Sequence, residues 1–508
     1  MFESAELGHK IDKATYNKEV PALRMALLEA QFDLAKAANF PVIILVGGMD
    51  GAGRGETVNL LNEWMDPRYI QTHGMGEPSD EELDRPMMWR FWRALPPKGR
   101  IGVFLGSWYT WPILNRVFGV TKAADLDQSL ERAKRLEKML YDEGAVIIKF
   151  WLHLSKDKQE KRLKSLEKNP STRWRVTERD WKHFKAYDKL QSVHESVIRH
   201  TSTAEAPWII IEGEDLCYRS LTVGNVILET IRHRLKQEAS PAPTVNAPPL
   251  LPSLDNIHIL KTLDLSQSLE KKKYKLELEK YQGKLNFLTR DPKFKDMTVV
   301  VVFEGNDAAG KGGNIRRITG ALDARYYQVI PIAAPTEEER AQPYLWRFWR
   351  HIPRKGRVTI FDRSWYGRVL VERVEGFCAE SDWMRAYSEI NDFEGQLVRH
   401  NIVVVKFWLT ISKEEQLRRF EDRQKTGYKS FKITEEDWRN REKWEAYEQA
   451  ICDMVDRTST LISPWTLVEA NDKNFARIKV LKTLCQRIET TLKSMPEEND
   501  KAPTKTRR

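Results

Sequence analysis

The sequence predicts an α/β protein built as two tandem three-layer α/β/α domains with parallel sheets, the second of which carries a phosphate-binding loop. Three observations lead there. First, one segment occurs twice at a fixed offset: Asp307 and Asp50, Trp438 and Trp181, and Thr458 and Thr201 are each 257 residues apart. One unbroken register over that length is a duplicated domain rather than an array of short repeats. Second, in each copy short, continuously apolar runs alternate with long amphipathic stretches, the pattern of buried parallel strands packed between helices. Third, a G-x-x-x-x-G-K sequence stands where one of those runs gives way to a helical stretch.

The elements follow in order. Val42–Val46 and Thr298–Phe303 are β-branched and apolar throughout, as a strand covered on both faces requires. Val358–Phe361 and Ile402–Leu409 are two further strands of the second copy, with Arg100–Leu105 and Ala145–Leu152 as their counterparts. Leu126–Asp142 and Trp383–His400 are amphipathic helices, and Asn314–Leu322 is the helix after the loop. Residues 238–252 hold five prolines, too many for a regular helix. The expected organisation is a first domain over 1–238, a Pro-rich linker over 239–257, a second domain over 258–494 and a polar, disordered tail over 495–508.

The whole chain of 508 residues is long for one core and suits two. Its net charge of +10 favours an anionic partner without choosing among nucleic acid, phosphate polymer, nucleotide and acidic membrane face. Cys217, Cys378, Cys452 and Cys485 are far apart, which suggests neither a disulfide framework nor a zinc site. No run of roughly 18 apolar residues is present to span a bilayer, and residues 1–16 are too polar for a secretory signal. A cytoplasmic protein is expected.

The chemistry concentrates in the second copy. In Glu304-Gly305-Asn306-Asp307-Ala308-Ala309-Gly310-Lys311-Gly312-Gly313 the glycines let successive N–H groups turn toward an anion at a helix N-terminus, and Lys311 adds a full positive charge. The hydroxyl that usually follows the lysine is replaced by Gly312, while Asp307 brings a carboxylate into the loop. A second acid, Asp362, ends a neighbouring apolar run and is followed by Arg363; taken alone it reads equally well as a helix cap, but beside the loop it is placed to hold a metal. The stretch Leu417–Lys432 is basic and breaks at Gly427, either a lid over phosphates or a solvated, charge-paired helix face. Arg347, Arg350, Lys355 and Arg357 could line a polyanion track, whereas the tryptophans among them suit the core.

Residues Gly305–Gly312, Asp362-Arg363-Ser364-Trp365-Tyr366, Glu372–Phe377 and the Arg419/Arg423 pair resemble the motifs of the family-2 polyphosphate kinases. The fused two-copy arrangement is similar to the polyphosphate:AMP phosphotransferases of that family. The resemblance covers nearly the whole chain and implies a thymidylate-kinase-like P-loop fold and transfer of a terminal phosphoryl group from inorganic polyphosphate to AMP, giving ADP. ADP or another nucleoside diphosphate is the rival acceptor, and a non-catalytic polyphosphate- or nucleotide-binding scaffold the rival class. It also implies Mg²⁺, with Mn²⁺ as an alternative, bound by Asp307 and Asp362, and places Lys311 and Arg363 on the reacting phosphates. Gly305, Asn306, Ala308, Ala309, Gly310, Gly312, Arg373, Arg419, Arg423 and Lys429 are the remaining expected phosphate or nucleotide contacts. Neither nucleic acid nor membrane is an expected partner, and a homodimer is left open.

The first copy departs from that pattern. Its loop, Gly48-Met49-Asp50-Gly51-Ala52-Gly53-Arg54-Gly55, keeps the glycines and the acid but has Arg54 in place of the lysine. Leu105 and Gly106 stand where the second copy has Asp362 and Arg363, and Leu166 where it has Arg423, although Arg116 and Arg162 match Arg373 and Arg419. A leucine cannot neutralise phosphate charge through a metal, so the first copy is expected to be degenerate.

Overall fold

A computed structural model describes residues 1–237, 259–427 and 433–496. The expected linker and nearly all of the expected tail lie outside these residues, as does Lys429. The chain forms two compact units, and they follow the two copies except for one short stretch each. Residues 80–87 belong to the second unit, and their counterparts in the repeat fall within 335–347, which belongs to the first.

Each unit is built on a parallel five-stranded sheet. In the first, β1 (Val42–Gly48), β2 (Ile70–Gly74), β3 (Ile101–Leu105), β4 (Val146–His153) and β5 (Trp208–Glu212) lie in the order β2-β3-β1-β4-β5. In the second, β6 (Thr298–Gly305), β7 (Tyr327–Pro331), β8 (Val358–Asp362), β9 (Ile402–Thr410) and β10 (Trp465–Glu469) repeat that order as β7-β8-β6-β9-β10. The three inner strands of each sheet are the apolar runs read from sequence. The outer strands β2, β5, β7 and β10 were not expected, because a short edge strand with one wet face, such as Ile-Gln-Thr-His-Gly, carries no continuous apolar signal.

Register places the chemistry. On β6, Phe303 pairs with Asp362 of β8 and Gly305 with Leu409 of β9, so the loop and the acid leave the sheet from neighbouring strands at the same end. That end, at the C-terminal edge of the central strands, is where open parallel sheets bind ligands.

A buried polar network recurs in both units and accounts for a lysine inside an apolar strand. Lys406 on β9 donates to Glu394 at 2.7 Å, to the Tyr366 hydroxyl at 2.8 Å and to the Thr458 carbonyl at 2.8 Å. Glu394 also accepts from Trp365 Nε1 at 3.0 Å and from the Tyr366 hydroxyl at 2.6 Å. Lys149, Glu137, Trp108, Tyr109 and Thr201 repeat it in the first unit. Breaking such a buried pair on one side leaves an uncompensated charge at a cost of about 3–5 kcal/mol. Through Trp365 and Tyr366 the network grips the segment that follows Asp362 at the end of β8 and Arg363 just beyond it. In the Trp346–Arg350 run Trp349 is buried as the sequence suggested and Trp346 is half-buried; Trp92 and Trp365 are buried too, and no disulfide joins the four cysteines. No helix among the described residues is long and apolar enough to cross a membrane.

Candidate active site

The phosphate loop joins β6 to the helix Lys311–Thr319. Gly305, Ala308 and Gly310 hold positive φ values of 150°, 65° and 107° in the turn that leads into the helix N-terminus, where backbone amides favour an anion. Only glycine fits at 305, since a Cβ there would lie 2.5 Å from the Leu409 carbonyl oxygen of β9. Lys311 Nζ rests on the Gly305 carbonyl at 2.8 Å, its ammonium held at the loop. Asn306 serves the scaffold, its side-chain oxygen accepting from Ile411 N at 3.2 Å.

Asp307, Lys311, Asp362, Arg363 and Arg423 line one cavity of about 400 Å³, together with Ala308 to Gly313, Arg316 and Asp437. Arg363 Nη2 lies 3.5 Å from Asp307 Oδ1, and Asn440 donates to Asp307 Oδ2 at 2.9 Å. Burial disfavours charge on Arg363, but Asp307, Glu304, Glu436 and Asp362 outweigh it and raise its pKa above the usual arginine value. Beneath them sits Glu304, a residue that the sequence reading passed over. It is 6% exposed and accepts from Ser364 Oγ at 2.8 Å, tying the start of the loop to the segment that carries Asp362 and Arg363. Burial pushes its carboxyl up, against Lys311, Ser364 and Arg363. The available signal was an acid at the end of four valines and a phenylalanine, opposite Gly47 in the other copy.

Gly305 and Asn306 are not among the lining residues, and Arg419, Arg373 and the expected track are placed elsewhere. Arg419 is 3% exposed, and its guanidinium lies beneath the loop on the Ala308, Ala309, Ala470 and Asn471 carbonyls, so it holds backbone rather than facing the cavity. Arg373 is paired with Asp453 at 2.7 Å and with the Tyr387 hydroxyl at 2.9 Å, and it is not among the cavity's lining residues. The expected polyanion track is divided. Arg347 is 6% exposed, paired with Glu339 at 3.2 Å and part of the first unit, whereas the exposed Arg350, Lys355 and Arg357 belong to the second. A buried, paired guanidinium is a poor anchor for a solvated polymer.

The Polyphosphate kinase 2 (PPK2) family pattern matches residues 10–239 and again 268–496. The chain belongs to the polyphosphate kinase 2 family. Relatives of this family member include the polyphosphate:AMP phosphotransferase of Pseudomonas aeruginosa, 59% identical over 97% of this chain and 99% of that protein. Those of Pseudomonas syringae pv. tomato and Acinetobacter johnsonii are 56% and 38% identical, each over 98% of its own length and over 96% and 94% of this chain. A crystal structure described as polyphosphate kinase 2 from Pseudomonas aeruginosa PA01 superposes with a TM-score of 0.89 at 57% identity, covering 98% of this chain and all of that one.

The residues of this family member suit a divalent metal. Among the described residues no group of three or more His, Cys, Asp or Glu closes into an all-protein cage. Asp307 and Asp362 instead offer two hard oxygen donors on one cavity, the set that Mg²⁺ takes when waters and phosphate oxygens complete its shell.

In the first copy of the family domain the corresponding loop acid is paired by side chains of its own unit. Asp50 is bonded by Arg54 and by His183, whose Nδ1 lies 2.7 Å away and which stands where the second copy has Asn440. Burial pushes the Asp50 carboxyl up, but the Arg54 guanidinium and then His183 overcome it and hold it down at about 2.

Proposed function

We propose that the second copy transfers the terminal phosphoryl group of inorganic polyphosphate to AMP, giving ADP. The observation that carries this reading is the convergence of Lys311, Arg363, Arg423, Asp307 and Asp362 on one cavity, in a chain whose relatives of matching length are named for that reaction.

An oxygen of the AMP phosphate attacks the terminal phosphorus in line, the bond to the bridging oxygen breaks, and the polymer leaves one unit shorter. One phosphoanhydride is lost and one gained, so the reaction is reversible. The protein positions the groups and neutralises their charge. The loop amides and Lys311 hold the migrating group, Arg363 faces charge that develops on it, and Arg423 closes the cavity from the basic helix Lys413–Gln424. Asp307 and Asp362 would hold Mg²⁺, which when bound neutralises phosphate oxygens and aligns them. The first copy performs no transfer in this reading, and the protein works in the cytosol.

Incubating the purified chain with Mg²⁺ and polyphosphate, with AMP and ADP offered separately, tests the reading. ADP formed from AMP, and lost on chelation, supports it. ATP formed from ADP with AMP left untouched would make a diphosphate the acceptor, and no product from either would leave a binding scaffold.

A further inference from the structure

The two copies solve one structural problem with different arginines. In the second, Arg419 on the helix Lys413–Gln424 bonds the Ala309 carbonyl at 3.1 Å and the Ala470 carbonyl at 2.7 Å, and also those of Ala308 and Asn471. In the first, the counterparts of Ala309 and Ala470 are Ala52 and Gly213, and both carbonyls are bonded by Arg219, at 3.2 and 2.7 Å. Arg219 comes from another element, the helix Leu216–Lys236, and its counterpart in the second copy is Ala476. Arg162, the counterpart of Arg419, reaches outward to Glu56 at 2.8 Å.

Two further positions account for the exchange. Glu415 holds Arg419 Nε at 2.6 Å one turn away; its counterpart is Lys158, a like charge that cannot hold Arg162 and that pairs with Glu214 instead. Gly313 corresponds to Glu56, which draws out Arg162 and also pairs with Arg219 at 2.9 Å. The need common to both copies is to satisfy carbonyls where the phosphate loop meets the strand end, since a carbonyl buried without a donor is costly. Only the second copy meets that need from the helix that carries Arg423 to the cavity, one turn beyond Arg419. The first, with Leu166 in that place, has moved the clamp away.

We propose that Arg419 is a positioning residue that couples the Arg423-bearing helix to the phosphate loop, a task distinct from stabilising the loop. It rests on the second copy being the transferase. Arg419 touches no substrate; it sets where Arg423 stands relative to Lys311 and Asp307.

The test is Arg419→Ala with and without Ala476→Arg, which supplies the clamp from the first copy's direction. In the first copy the Arg219 Cζ lies 2.2 Å from where a Cβ would stand on Gly53, whereas among the described residues nothing lies within 4 Å of that point on Gly310, so the space is open. Polyphosphate-driven turnover and the urea midpoint are read for each variant, and wild-type turnover in the same assay tests the proposed function by itself. Arg419→Ala should lower kcat about tenfold or more, and adding Ala476→Arg should restore the midpoint without restoring kcat. Recovery of kcat together with the midpoint would make the clamp purely structural and overturn the proposal, as would an Arg419→Ala variant within about twofold of wild-type kcat. If Arg419→Ala does not fold, Arg419→Lys decides. A lysine keeps the charge but cannot fork across both carbonyl pairs, so kcat should still fall about tenfold, and wild-type kcat would sink the idea.

Discussion

Arg363, at φ 64°, holds the left-handed backbone that its counterpart Gly106 holds at φ 85°. Ala308 and Gly51, at 65° and 79°, stand in the same relation. An L-residue pays roughly 1–2 kcal/mol for this conformation and glycine almost nothing. The second copy therefore carries strain at two positions on its cavity, and the first, which has Leu105 in the place of Asp362, has shed it. Strain kept beside a reacting group has a functional reason to persist. Arg363→Gly should therefore leave the unfolding free energy unchanged or raise it by up to about 1 kcal/mol while lowering turnover at least about 100-fold. Urea unfolding and a turnover assay on one preparation check this. A clear loss of stability with turnover intact would make the guanidinium structural.

Asp362 ends β8 beside Phe303 and lines the cavity with Asp307. Asp362→Asn keeps the shape and removes the charge that a metal needs. Turnover should fall by two or more orders of magnitude, about 3 kcal/mol of transition-state stabilisation, and saturating Mg²⁺ should not restore it. Near-normal turnover at high Mg²⁺ would remove this residue from the mechanism.

The central strands and the phosphate loop were legible in sequence because each has a local cause: four consecutive valines on β6, and two glycines in the spacing that a backbone nest requires. Asp362 and Arg363 were legible through their place after an apolar run. Arg419 was legible as a residue but not in its direction, since a helical arginine one turn from the cavity can face either the solvent or the backbone below. Neither Arg219 nor Glu56 gave a signal. Their meaning appears only when two carbonyls far apart in sequence, Ala52 and Gly213, are found bonded to one guanidinium. Glu304 was hidden for a similar reason, because its partner Ser364 is 60 residues away.

Asp50 makes the first copy acid-sensitive. Its carboxyl is held at about 2 when folded, against the ordinary 3.8, so the unfolded chain takes up the proton first as pH falls. The stabilisation, about 2 kcal/mol, is complete above the unfolded value and is lost as pH drops through the interval down to about 2. Asp50→Asn should therefore be destabilised by about that amount at pH 7, with the gap to wild type narrowing below about pH 4. Unfolding midpoints across that range measure it. A gap independent of pH would mean that the carboxylate's charge is not what stabilises the loop.

Glu304 can be separated into charge and hydrogen bond. Glu304→Gln keeps an acceptor for Ser364 and should keep stability within about 1 kcal/mol, while Glu304→Gly, which copies Gly47, strands the hydroxyl and should cost about 1–3 kcal/mol. Both should lower kcat, because both remove a carboxylate that faces Lys311 and Arg363. Wild-type kcat in the glutamine variant would reduce Glu304 to a scaffold residue.

The division of labour between the copies has its sharpest test at the two loop cations. Lys311 stands on the Gly305 carbonyl at the edge of an open cavity, with its charge available to a phosphate. Arg54 is committed to Asp50, and the copy it serves has Leu105 and Gly106 where a metal ligand and a phosphate-facing arginine would be. Lys311→Ala removes a charge that the transferring group feels, so turnover should fall by at least about 100-fold with the unfolding midpoint almost unchanged. Arg54→Ala removes a charge that Asp50 and the buried His194 feel. It should lower stability, because the buried carboxylate loses its main partner, and leave most of the turnover. The two variants thus predict opposite pairs of readouts, and assaying both for turnover and midpoint under identical conditions separates them. If Arg54→Ala lost activity as severely as Lys311→Ala while its circular dichroism stayed native, the first copy would have to take part in the chemistry, and the assignment of transfer to the second copy alone would fall.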